Sequence, residues 1–238
     1  MAGLEYNSTT GEPFLRLPAP FTNFIITPPR LSDAAPSVEI MTQPSVAKWM
    51  GPSILLEYNV DKATAWLTKL KAETDAATEE LRATAQTRGP VSACPLRHLR
   101  EVQTDGTEIF LGDVGIWRSS WPEVLDAEER ARLVTENNAR PAGDPEIAWH
   151  VSYYLAPSHQ GRGLTTVAVK TLIKEFGIPW MRTKYLRSGV FQGNPASLRV
   201  LQKCGFEIVD TLVNHVEIGG EKTTVYLVEL RVPDSMPL

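Results

Sequence analysis

The sequence predicts an α/β domain, and three observations carry that prediction. A short alternating run from Val151 to Leu155 leads through a glycine-bearing turn into helical periodicity from Leu164 to Phe176. Two hairpin signals, Thr104-Asp105-Gly106 and Gly219-Gly220-Glu221-Lys222, separate runs of strand-type residues. With 238 residues and 42% hydrophobic content, the chain holds enough apolar material for one large domain or two small ones.

Composition narrows the class of partner. A net charge of −4 does not suit a general nucleic-acid or membrane-surface binder, which needs a basic excess, so an anionic ligand must be held locally. Cys94 and Cys204 are the only cysteines and no Cys/His cluster accompanies them, so neither a disulfide framework nor a metal site is expected. The start, MAGLEYNSTTGEPF, lacks the basic and apolar regions of a secretory signal, and no apolar run reaches membrane-spanning length. The expectation is a soluble, cytoplasmic protein.

Taken in order, residues 1–19 are polar and proline-bearing and read as a flexible or loosely docked arm, with the domain proper over 20–238. Phe24 to Thr27 is a short strand, and Pro28 to Asp33 turns into a weak helix ending near Met41. Asp61 to Gln86 reads as a long helix whose second half has too few apolar residues for deep burial, broken at Arg88-Gly89-Pro90. Leu96 to Val102 and Ile109 to Trp117 are two strands.

A helix is expected between Pro122 and the loop at Pro141 to Asp144, within an insertion of about 119–145. That insertion is either a lid or substrate wall of a binding site, or a solvated decoration. The strand at Val151 to Leu155 then meets the helix of Leu164 to Phe176, with Gly177 placed as its stop. Asn194, Pro195 and Gly205 suit the N-cap, first position and C-terminal exit of another helix. His215 to Ile218 and Thr224 to Arg231 form a terminal hairpin.

Gln160-Gly161-Arg162-Gly163-Leu164-Thr165 lies between strand and helix, where successive backbone N–H groups and the helix dipole favour a phosphate. A Walker loop is excluded by the missing G-K-[ST], and a dinucleotide fingerprint is disfavoured because Thr166 stands where a third small residue belongs. A glycine turn without ligand remains the plain alternative.

Gln160-x-x-Gly163-x-Thr165 resembles the Q/R-x-x-G-x-G/A pyrophosphate loop of the GNAT superfamily of N-acetyltransferases, with Thr165 departing from the usual Gly or Ala. The second block, FQGNPASLRVLQKCGF from Phe191 to Phe206, resembles the unit that follows in the RimJ/RimL-like subgroup, and TPPRLSDA approximates that subgroup's early T-x-R-L-x-x-x-D stretch. The resemblance implies a single domain with a mixed, strongly bent sheet of about seven strands and helices on both faces.

It also implies a site. The strand at Val151 to Leu155 splays from one near Ser188 to Phe191, and the pantetheine arm of acetyl-CoA fills the wedge like an added strand. Tyr154, Leu155, Gln160, Gly161, Arg162, Gly163, Leu164 and Thr165 would hold the cofactor, with Asn194 bonding the arm. The family often carries a thiolate-protonating tyrosine where this chain has Leu201, and the subgroup carries a serine where this chain has Ser197. Ser197 is therefore a candidate proton donor, or merely a residue reinforcing the helix cap.

An acceptor amine must lose a proton before it attacks a thioester. His150 lies where many relatives carry a glutamate, and an imidazole titrating near 6 to 7 would serve as base; its alternative is a structural role. Glu146, His215 and Glu217 stand in reserve, and Trp117, Trp121, Tyr153 and Tyr154 line the acceptor side or belong to the core. The expected activity is acetyl transfer from acetyl-CoA to a primary amine by direct attack in a ternary complex, by a monomer or homodimer. A CoA-binding sensor without turnover, and transfer of a longer acyl group, are the alternatives.

Overall fold

In the computed structural model of the chain, residues 3–50, 58–87, 89–218 and 220–233 are described. The strands are β1 (Glu5–Tyr6), β2 (Pro13–Arg16), β3 (Phe24–Thr27), β4 (His98–Val102), β5 (Glu108–Arg118), β6 (Ala148–Leu155), β7 (Tyr185–Phe191), β8 (Glu207–Ile218) and β9 (Glu221–Arg231). They make one open sheet in the order β1-β2-β3-β4-β5-β6-β7-β9-β8. All neighbours run antiparallel except β6 and β7, so the sheet is mixed.

Nine strands replace the expected seven, and the two extra ones come from the stretch read as a loose arm. In Pro13-Phe14-Leu15-Arg16-Leu17 the alternation sends Leu15 and Leu17 fully into the core, at 0% and 1% exposure. Pro13 opens β2, a position where the missing N–H costs no ladder bond. The prolines masked a strand.

The helices are α1 (Ala34–Met41), α2 (Pro44–Ala47), α3 (Val60–Thr84), α4 (Ala127–Ala139), α5 (Leu164–Leu172), α6 (Ile178–Met181) and α7 (Pro195–Lys203). Asn59 caps α3, its side chain accepting from the Lys62 N–H at 3.0 Å. The second half of α3 is buried after all, through Thr74, Ala77, Thr78 and Leu81. Small residues allow close approach, and the Thr78 hydroxyl satisfies itself on the Thr74 carbonyl at 2.8 Å.

Gly177 is not a stop. After α5 the chain makes a π turn over Ile173–Gly177, continues into α6 and ends at Arg182, whose φ is 56°. Pro179 supplies the reason: it has no N–H to give the Glu175 carbonyl, so the ladder slips by one residue instead of breaking. The break expected at Arg88-Gly89-Pro90 and the tip of the terminal hairpin include Arg88 and Gly219, which lie outside the described residues.

α1 and α2 pack on one face of the sheet, where Ile40, Val46, Phe110 and Tyr154 meet. α5 and α7 cover the other, where Leu164, Leu172 and Leu201 join Trp149 and Leu186 in the main core. The ladder between β6 and β7 is short: Ala148, Trp149 and His150 pair with Tyr185, Leu186 and Arg187, and pairing ends there. Beyond it the strands part. That parting is the feature around which the site is built.

Candidate active site

At the point of parting, the Ser188 hydroxyl donates to the Val151 carbonyl at 2.8 Å, which satisfies a carbonyl the ladder has abandoned. From there a cavity of about 540 Å³ opens between the strands and reaches from the turn at Gln160 to the stretch around Glu123. Residues from both faces of β6 line it, Tyr153 on one side and His150, Ser152 and Tyr154 on the other.

One end is the turn before α5. Gly161 and Gly163 have φ of 75° and 82°, and a Cβ on either would meet no atom within 4 Å, so the space above both backbones is open. Gly163 is the N-cap of α5, whose first N–H groups have no intrahelical partner. Gln160 behaves differently from the expectation: its side chain donates to the Leu155 carbonyl at 2.8 Å and its N–H to Pro157, so it fixes the turn. Leu164 is in the core at 1% exposure and has only its backbone to offer; Arg162 is exposed beside the turn.

The second wall is the start of α7. Asn194 caps the helix, its Oδ1 accepting from the Ser197 N–H at 3.1 Å, which leaves the amide nitrogen of the side chain toward the cavity it lines. The Ser197 hydroxyl does not reinforce that cap. It meets the Tyr153 hydroxyl at 2.9 Å, and the Tyr153 oxygen also lies 3.0 Å from the Ser197 carbonyl. Burial pushes the Tyr153 phenol well above its ordinary pKa, so it stays protonated. Leu201, at the position of the family's tyrosine, is buried at 1% exposure.

The far end carries His150. Its ring lies 5.2 Å from that of Trp117, which has the Arg97 guanidinium 4.3 Å over it. Burial, then the guanidinium groups of Arg187 and Arg97, lower the His150 pKa to about 4. The expectation of a group titrating near 6 to 7 is therefore corrected. The strand alternation alone showed which face His150 takes, but not the two cations that oppose its charging.

Of the reserve candidates, Glu146 and Glu217 are exposed and do not line the cavity. His215 acts as a strut, its Nε2–H donating to the Glu123 carbonyl at 2.5 Å. Glu123 was missed by sequence reasoning. It lines the cavity, and its carboxylate pairs with Arg187 at 2.5 Å, the two side chains 12% and 10% exposed. No local pattern marks it.

The insertion divides accordingly. Pro122 and Glu123 form cavity wall, while α4 lines no part of it and is held to the sheet by Asn137. That buried side chain donates to the Ala148 carbonyl at 3.0 Å and accepts from the Ala148 N–H at 2.9 Å.

A mixed sheet whose one parallel pair parts beside a glycine-bearing helix start is an architecture found among acetyltransferases. The chain belongs to the acetyltransferase (GNAT) family: the model of the Acetyltransferase (GNAT) domain matches residues 23–207. Among curated proteins, the probable N-acetyltransferase YjcK of Bacillus subtilis is 31% identical over 70 residues, which cover 29% of this chain and 38% of that protein. Among solved structures, a GNAT acetyltransferase from Bacillus anthracis superposes with a TM-score of 0.60 at 12% identity, covering 92% of this chain and 98% of that one. RimJ of Mycobacterium smegmatis, in complex with CoA-disulfide, gives 0.57 at 20% identity, over 95% and 89% of the two chains. These likenesses carry the fold.

No helix among the described residues is long and apolar enough to cross a membrane.

Proposed function

We propose that this chain transfers the acetyl group of acetyl-CoA to a primary amine in a ternary complex. The observation that carries the reading is the parting of β6 and β7 beyond His150 and Arg187, with the open glycine turn at one end and His150 and Glu123 at the other. Bound acetyl-CoA supplies an activated thioester carbonyl. The chain's residues do the rest.

The N–H groups of Gly161, Gly163, Leu164 and Thr165 face outward from a helix start and suit a pyrophosphate, with Arg162 adding charge nearby. Unpaired backbone of β6 and β7 suits an extended amide-bearing arm, and Asn194 offers its side-chain N–H to it. Tyr154 and Leu155 border that arm. Ser197 is placed to give a hydrogen bond to the departing thiolate, and the Tyr153 hydroxyl, 2.9 Å away, holds the serine hydroxyl in position.

At the other end His150 is neutral at pH 7 and so presents a lone pair to the amine's proton, while its low pKa makes any charge it takes up brief. The proton goes on to solvent. Acetyl-CoA-dependent thiol release over a panel of amines tests the reading. Release that requires an amine supports it, and tight CoA binding without release favours a sensor.

A further inference from the structure

Resting on that acetyl-transfer reading, we infer that the acceptor carries its single amine on an aromatic or branched apolar body, and that the face of the cavity that carries His150 rejects polyamines. The sheet's pleat and register decide what this face presents. His150 of β6, Arg187, Gly189 and Phe191 of β7 and Val225 of β9 share one face, because His150 pairs with Arg187 and Phe191 with Val225. Trp49 and Met50, just after α2, line the same cavity. Trp117 is clamped between His150 and Arg97 and therefore forms a fixed flat wall.

Charge is nearly absent. Among the described residues that line the cavity, Glu123 is the one carboxylate and His150 the one imidazole, with no Lys, Arg or Asp. Glu123 is already neutralised by Arg187 at 2.5 Å. A polyamine would bring two or more further ammonium groups into this space, each losing water with no unpaired carboxylate among the described lining residues to meet it. A flat apolar body instead exchanges water for Trp117, Phe191, Met50 and Val225.

Gly189 leaves the floor open. It is exposed to the cavity, and a Cβ there would stand 3.3 Å from a methyl of Val225. Any larger residue at 189 would fill the space under an acceptor's body.

The test compares 2-phenylethylamine, methylamine, spermidine and a tetrapeptide beginning with Phe in the thiol-release assay on the full chain, at equal concentrations of neutral amine. The expected result is kcat/KM for 2-phenylethylamine or the Phe peptide at least about tenfold above both methylamine and spermidine. Preference between those two identifies whether the body belongs to a free amine or a peptide terminus. Gly189→Val and, separately, Phe191→Ser should bring the ratio of 2-phenylethylamine to methylamine toward one, with stabilisation by acetyl-CoA confirming that each variant is folded.

Spermidine as good as or better than 2-phenylethylamine overturns the inference while leaving acetyl transfer standing, as does an unchanged ratio in both variants. No release above the amine-free rate with any amine overturns the acetyl-transfer reading and this inference with it, even if acetyl-CoA still stabilises the fold.

Discussion

The Tyr153 hydroxyl lies 2.9 Å from that of Ser197, joining a side chain of β6 to the first turn of α7 across the cofactor side of the cavity. Tyr153→Phe takes the phenol from both the hydroxyl and the carbonyl of Ser197, whereas Ser197→Ala leaves Tyr153 its bond to the carbonyl. Because burial keeps the phenol protonated, Tyr153 is a standing donor at any pH at which the protein is folded.

Tyr153→Phe should therefore lower kcat by roughly 10- to 100-fold while changing the KM for acetyl-CoA only a few-fold, since the interaction strengthens as charge develops on sulfur. Ser197→Ala should do the same. The double variant should be no slower than the worse single one, because two groups acting as a unit are lost once. Steady-state kinetics on all three decide it, and additive losses would show two independent roles.

What could be read from the sequence was what lies close together along it. Asn194, Pro195 and Gly205 act through their own backbone neighbourhood, so α7 and its cap were legible, as was the turn at Gly161 to Thr165. The Glu123–Arg187 pair joins residues far apart in sequence, and no periodicity links them. β2 was hidden because Pro13 and the prolines just after the strand outweighed a short alternation, and Gly177 misled because a π turn forced by Pro179 looks locally like an ending. His150 shows the same division: the pleat gave its face, while its pKa depends on Arg97 and Arg187, which arrive from β7 and from just ahead of β4.

Gly163→Glu should abolish stabilisation by acetyl-CoA. The parent should gain about 2.7 kcal/mol at a ligand concentration a hundred times its Kd. The glutamate would place a carboxylate over the N-terminus of α5 where the phosphates belong, and its φ of 82° would cost a further ~1–2 kcal/mol in the apo protein. Thermal melts with and without acetyl-CoA separate the two effects. A ligand-induced shift equal to the parent's would remove the turn from the cofactor site.

Asn137→Ala should destabilise the fold by about 1–3 kcal/mol, because it leaves the buried Ala148 N–H without its partner, while the Ala148 carbonyl keeps the Ser119 N–H. It should also raise the acceptor KM more than that for acetyl-CoA, since Asn137 ties to β6 the helix that follows Pro122 and Glu123 in the chain. Urea unfolding gives the first quantity and two-substrate kinetics the second.

His150 is the group whose protonation most directly links stability to activity. Its folded pKa of about 4 lies below the ~6.5 of an unfolded histidine, so between those values the unfolded chain binds the proton that the folded chain refuses. Stability contributed at this site is thus complete above about pH 6.5 and is lost as pH falls toward 4, by an amount on the order of 2–3 kcal/mol. His150→Gln keeps a hydrogen-bonding side chain without that proton site, so its unfolding free energy should decline less than the parent's between pH 7 and pH 5. In kinetics, the limb of kcat/KM assignable to His150 should centre near 4, and any rise between pH 6 and 9 should follow the ionisation of the amine acceptor and shift when acceptors of different basicity are used. A rise near pH 6.5 that stays fixed across acceptors and vanishes in His150→Gln would mean that the imidazole escapes the field of Arg187 and Arg97 once substrates bind.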